Sequence, residues 1–303
     1  MLVAFGMIAA SCSNESVNDV ENAVENIRVP VTVNVSGFSV SQEEFSDGAT
    51  RNGSVRGTTR AAADPATYDG VKALTLAFYA GDGTEAYKHE QVKGSLEEGE
   101  TFGQFSLSLP MGSYTMVVLA YGKNGDDDLV LTSSTEAAYT GSHTRETFAT
   151  TQAVNINSTN SVNLSATLNR IIAKLQVVST DGRAANATNV RMSFAAGGKS
   201  FNPTTGLATI DTGFVNTVGI SASAGSTSSA ISYLFLTSDE QDVNVTIETL
   251  DEDGAVLFSK TVDSVPFKRN RVTKLTGAMY TNSSVSGGFQ IETAWEEQYD
   301  GTF

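Results

Sequence analysis

The chain has 303 residues, which suggests about two domains, with 40% apolar residues, 34 acidic against 19 basic side chains and a formal charge of −15. That apolar content supplies real cores and excludes a disordered chain, and so acidic a balance excludes sequence-independent nucleic-acid binding, which needs a basic face. Glycine is abundant at 27, proline rare at 5, small polar and β-branched residues dominate, and long helix formers are sparse, which is the composition of an all-β protein with very little helix.

The first stretch, "LVAFGMIAAS" (2–11), is apolar and small and ends at Cys12, the single cysteine. No internal disulfide can form. Ten apolar residues are too short for a bilayer span, which needs about 20, but they suit the apolar region of a signal peptide over 1–11. Small residues before Cys12 fit a lipoprotein signal peptidase, so the cysteine is expected to become residue one and to carry acyl chains such as palmitate. Ala9 stands where leucine is usual, and no basic segment precedes Leu2, which leaves room for a start further upstream. Residues 12–28 are acidic before Arg28. Val17, Val20, Val24 and Ile27 allow a short amphipathic helix, but a solvated tether is the preferred reading.

Period two then takes over. "VPVTVNVS" (29–36) sets Val29, Val31, Val33 and Val35 against polar neighbours, a half-buried strand. Residues 37–67 lose the pattern and hold Arg51, Arg56 and Arg60. A loop near thirty residues long inside a compact domain is usually functional or disordered, and exposed loops of small polar residues are preferred nicking sites. Cleavage is expected after Arg60, which three alanines follow, with Arg56 and Arg51 as alternatives.

Hairpins are expected over 71–87 and 103–122, with Tyr114, Met116, Val118 and Ala120 facing inward on the return strand. Shorter strands fall at 128–132, 152–156 and 161–168. A second unit is expected from residue 167, giving an N-terminal sandwich over 29–166 and a C-terminal one over 167–303, each with its own core. Its strands fall at 170–179, 188–194, 207–211 and 231–237, then a hairpin at 242–262 and strands at 271–280 and 288–295. "LTLAFYAGDGTEAY" and "VTIETLDEDGAVLF" share a strand, an acidic glycine turn and a strand, so the halves are expected to be similar sandwiches in tandem.

Chemistry is sparse. His89 and His143 lie far apart in polar company, no His/Cys/Glu spacing suggests zinc, and no glycine-rich phosphate loop follows a strand. "GKNGDDD" (122–128) and "LDEDGA" (250–255) lack the spacing of a calcium loop and read as turns. Lys268, Arg269, Arg271 and Lys274 read as an exposed strand face of alternating basic side chains, with docking of an acidic partner as the competing reading. Trp295 reads as a core residue. No metal, and no cofactor beyond lipid on Cys12, is expected.

In this order along the chain, the leader with Cys12, the strand 29–36, the arginine-bearing loop, "LTLAFYAGDG", "LPMGSYTMVVLAYG", "LNRIIAKLQV" and "VPFKRNRVTKLTG" resemble the bacterial fimbrillin family, the lipoprotein-derived (type V) pilus subunits. The resemblance implies two tandem transthyretin-like Greek-key β-sandwich domains and no enzyme activity. It implies export as a lipoprotein to the outer membrane and cell surface, and removal of the strand carrying Val29, Val31, Val33 and Val35 by an Arg-specific protease. It further implies polymerisation with other fimbrial subunits by donor-strand exchange, for which 272–303 holds candidate donor strands, in the service of adhesion. The alternative is a surface lipoprotein that does not polymerise: a fimbrial anchor or tip, or a module binding glycan or host protein.

Overall fold

The period-two patterns become strands. The computed structural model describes residues 27–39, 64–125, 128–281 and 289–292, and among these it contains no helix. The first half holds β1 (Arg28–Ser39), β2 (Ala73–Ala80), β3 (Glu85–Val92), β4 (Gln104–Pro110), β5 (Gly112–Tyr121), β6 (Leu129–Ser133), β7 (Glu136–Tyr139), β8 (Thr147–Ile156) and β9 (Val162–Arg170). Seven of them form one sheet in the order β3-β2-β5-β8-β9-β1-β4.

That sheet is open, with β3 and β4 at its edges, and it folds over on itself. β8 and β9 share only the pairs Phe148↔Arg170 and Ala149↔Asn169, so the sheet turns a corner there. The layer β9-β1-β4 thereby lies over β3-β2-β5-β8. Between them sit the valines of β1 with Leu74, Leu76, Phe78, Met116, Val118 and Phe148.

The second half holds β10 (Ala173–Ser179), β11 (Asn189–Phe194), β12 (Ser200–Phe201), β13 (Phe214–Gly219), β14 (Ser229–Leu234), β15 (Glu240–Leu250), β16 (Val256–Lys268), β17 (Val272–Gly277) and β18 (Gln290–Glu292). Two sheets, β14-β10-β17-β18 and β13-β11-β15-β16, enclose Leu175, Val177, Met192, Ile247, Phe267 and Leu275. The halves share a connection. β1 pairs parallel with β9 and antiparallel with β4, and β10 pairs parallel with β17 and antiparallel with β14.

Two separate cores were expected; a third cluster joins them. The outer faces of β2 and β5, with Ala77, Tyr79, Leu119 and Tyr121, are covered by β6, β7 and β12 and by Phe201 and Phe235. Ile171 and Ile172 fill the junction, and the chain changes sheet after Arg170, the last residue of β9. Burial on both faces explains why β2 reads "ALTLAFYA" without alternation: such strands become continuous apolar runs.

Several boundaries differ from the sequence reading. β1 runs on to Ser39, into the stretch taken as loop. Ala208 makes only an isolated bridge with Phe201, so 207–211 is no strand. The strand lies instead at β13, whose mixed "FVNTVG" has half-buried and exposed positions that hide its period. β7 was not anticipated, because "EAAY" is too short to show a pattern.

Candidate functional site: the slot filled by the first strand

The alternation of β1 resolves into two faces. Val29, Val31, Val33 and Val35 are 0%, 1%, 0% and 7% exposed, while Pro30 and Asn34 face outward. Pro30 lies opposite Ser108 of β4, one residue before the parallel ladder with β9 begins at Val31↔Val162. It therefore sits where one edge of the strand has no partner, the setting that tolerates a missing N–H.

Farther along, the ladder with β9 shifts register between Val35 and Gly37. The shift falls on a glycine with φ of +150°, a conformation that side chains rarely allow. There Val35 N–H turns to the Gly103 carbonyl at 2.8 Å. Gly103 is in turn placed by Gln91, 1% exposed, whose Oε1 accepts from Gly103 N–H at 2.9 Å and whose Nε2 donates to the Gln104 carbonyl at 2.9 Å. At the opposite end Arg28 Nη1 donates to the Ser108 carbonyl at 2.9 Å. Sequence reasoning missed Gln91, since one glutamine in a charged edge strand carries no signal.

β1 thus fills a slot between β4 and β9. Without it those two strands would each lose a ladder, and the faces of Leu74, Phe78, Met116 and Phe148 would lose their cover. The chain links β1 to every later strand only through residues 40–72. Arg51, Arg56 and Arg60 belong to that link but lie outside the described residues, as do Cys12, the tether up to residue 26 and Trp295.

The C-terminal stretch places β18 against β17, with Leu275↔Ile291 at its centre. Phe289 and Ile291 pack on the second core. The root of this stretch is fixed by Asp181, read from the sequence only as part of an Asp-Gly turn. Its carboxylate accepts from Met279 N–H at 2.8 Å, Tyr280 N–H at 3.0 Å, Thr281 N–H at 2.9 Å and the Thr281 hydroxyl at 3.0 Å. Burial works to raise the Asp181 pKa, but these donors outweigh it and hold the carboxyl below its ordinary value.

The basic cluster is not the exposed face that was expected. Lys268 pairs with Glu240 at 2.5 Å and Arg269 with Asp239 at 2.6 Å, and Arg271 is only 7% exposed. His89 Nε2 lies 2.6 Å from Glu100 Oε1, and His143 Nε2 is 2.7 Å from the Thr217 carbonyl. Among the described residues no group of His, Cys, Asp and Glu could hold a metal ion. Asp251 closes the β15–β16 turn by accepting from Ala255 N–H at 2.8 Å.

Between the halves opens a polar cleft of about 710 Å³. Thr150 and Thr151 of β8 line one wall, and Thr204, Thr205 and the β16–β17 turn line the other. At its floor Arg170 bridges to Glu146 at 2.6 Å, donates to Asn270 Oδ1 at 3.1 Å and to the Tyr68 hydroxyl at 3.2 Å, and lies over the Phe148 ring.

Several solved structures align with the chain over most of its length. A fimbrial anchor protein, Mfa2 of Porphyromonas gingivalis, matches with a TM-score of 0.43 and 11% identity over 82% of this chain and 90% of its own. The tip fimbrial protein Mfa3 of the same organism, truncated at its C-terminus, gives 0.40 and 12% over 88% and 98%. A candidate adhesin from Bacteroides ovatus gives 0.48 and 12% over 85% and 88%. No curated protein matches the sequence. The family described as "family of unknown function (DUF6562)" matches residues 34–302, most of the chain, and the protein belongs to that family.

Proposed function

We propose that the chain is a structural, non-catalytic component of a cell-surface fimbria, anchored to the outer membrane through lipid on Cys12 and serving adhesion. In this reading an Arg-specific protease cuts after Arg60, or at Arg56 or Arg51. β1 then leaves its slot, and a strand from a neighbouring subunit takes its place. The candidate donor lies in the C-terminal stretch after β17, because β17 itself, although within the expected 272–303, is an interior strand of the second sandwich with Leu275 in its core.

One observation carries the reading: β1 is the first described strand, sits inside a sheet, and is joined to all later strands by a single link. A groove emptied of its strand exposes apolar side chains and unpaired backbone, which a foreign strand repairs by β-augmentation. A head-to-tail contact that does not close on itself grows into a filament.

The test uses the full chain, limited trypsin and electron microscopy, with a triple Arg51, Arg56 and Arg60 to Ala variant beside it. Fibres from the cut protein and none from the variant are expected, with the surface form beginning just after one of these arginines. Monodisperse particles in both samples, with the mature chain still beginning at Cys12, overturn the reading in favour of a surface protein that does not polymerise.

A further inference from the structure

We propose that the cleft between the two halves is a binding site for a neutral oligosaccharide. The proposal is independent of whether β1 is exchanged.

Each cation of the cleft is met by a carboxylate, two from its own lining, Glu240 and Asp239, and one, Glu146, from outside it. Arg170, Lys268 and Arg269 are met by Glu146, Glu240 and Asp239 at 2.6, 2.5 and 2.6 Å. A phosphate-bearing or polyanionic ligand would find no uncompensated cation. A lipid or other apolar ligand would find few partners, since the lining is mostly hydroxyl, amide and ionic, with Ala149, Ile171 and Pro203 as its apolar members.

What remains is hydrogen-bonding capacity. The hydroxyls of Thr150, Thr151 and Thr204 make no hydrogen bond among the described residues, although all three line the cleft. Each hydroxyl donates one hydrogen bond and accepts up to two. The Arg269–Asp239 and Lys268–Glu240 pairs set donors beside acceptors at the cleft, the pattern that vicinal hydroxyls of a sugar match with both their donor and acceptor sites. The volume, about 710 Å³, lies in the range of small-ligand pockets, roughly 300–1,000 Å³.

The walls are also well held. Asn270, at φ +60°, accepts from Arg170 of the first sheet at 3.1 Å, and its N–H donates to the Ile172 carbonyl at 3.0 Å. Arg269 Nη1 donates to the Thr205 carbonyl at 2.7 Å. The two sides are therefore tied together at the floor, and the site exists before any ligand enters.

The test is saturation-transfer NMR and calorimetry on the full chain with maltotriose, cellotriose, mannotriose and chitotriose. A sialylated trisaccharide and an uncharged heptapeptide serve as contrasts. At least one neutral trisaccharide should bind. Thr204→Trp, an exposed loop change that fills the cleft mouth, and Thr150→Val should each weaken it at least tenfold while leaving the thermal unfolding midpoint within a few degrees. Binding of none of the four neutral probes, undiminished binding to both variants, or a clear preference for the sialylated sugar or the peptide overturns the proposal.

Discussion

The clearest test of the slot removes methyl groups from β1 without touching its backbone. In a Val31→Ala, Val33→Ala double variant each change deletes two carbons from a site 1% or 0% exposed. At about 0.8 kcal/mol per buried carbon, with a further cost for the cavity left among Leu74, Phe78 and Met116, the pair should destabilise the intact chain by roughly 3–4 kcal/mol. Asn34→Ala, on the outer face of the same strand, should stay within about 0.5 kcal/mol. Urea denaturation followed by tryptophan-independent circular dichroism reads both. The same difference should reappear after trypsin cuts the 40–63 link. A fluorescent peptide spanning 27–39 with both alanines should then bind the nicked protein on the order of 100- to 700-fold more weakly than the native peptide. If the valine variant costs no more than Asn34→Ala, or both peptides bind alike, β1 does not fill the slot through its valines and the strand-exchange argument fails.

Three further outcomes are expected. Cys12→Ala should leave the circular-dichroism spectrum unchanged and move the protein from the membrane to the soluble fraction, because stable attachment takes more than one acyl chain. Asp181→Asn should cost on the order of 2 kcal/mol, the scale of hydrogen bonds to a charged group. The folded-state pKa of Asp181 is lowered, so its contribution is present above the ordinary carboxyl value and lost as pH falls through the folded one. The variant should therefore show a flatter acid limb of stability than the native protein, and parallel limbs would refute that role. Gly277→Ala would place a Cβ 2.7 Å from the Phe289 ring. It should displace Phe289 and speed hydrogen exchange at 289–292 while sparing β10.

Much of the fold was legible because burial on one face leaves a period of two. β1, β10 and the β15–β16 hairpin all show it. The reading weakened where that condition fails. In β2 and β5 both faces are buried, so apolar residues run together and the third core was invisible. In β13 only Asn216 is buried, and β7 alternates but is too short, at four residues, to show a period. The site residues divide in the same way. The inward row of four valines was legible from its period of two. Gln91, Asp181 and Arg170 act through partners between 10 and 102 positions away, and no local spacing announces such contacts. The basic run 268–274 misled for a related reason: its acidic partners, Asp239 and Glu240, stand across the hairpin.

The equivalence of β1 and β10 sharpens the case for which slot can be emptied. Each strand lies between one antiparallel and one parallel neighbour, and each buries an alternating row of Val, Leu or Ala. By packing alone either could be the strand exchanged in the proposed scheme. Connectivity separates them. β10 follows β9 after only Ile171 and Ile172, both held in the third core, so freeing it takes a cut on each side, and the first of these falls in a buried junction. One cut within 40–63 separates β1 from every later strand. That stretch also carries Arg51, Arg56 and Arg60. Burial therefore makes both slots worth filling, and the order of the chain leaves only the first open to a protease that acts once.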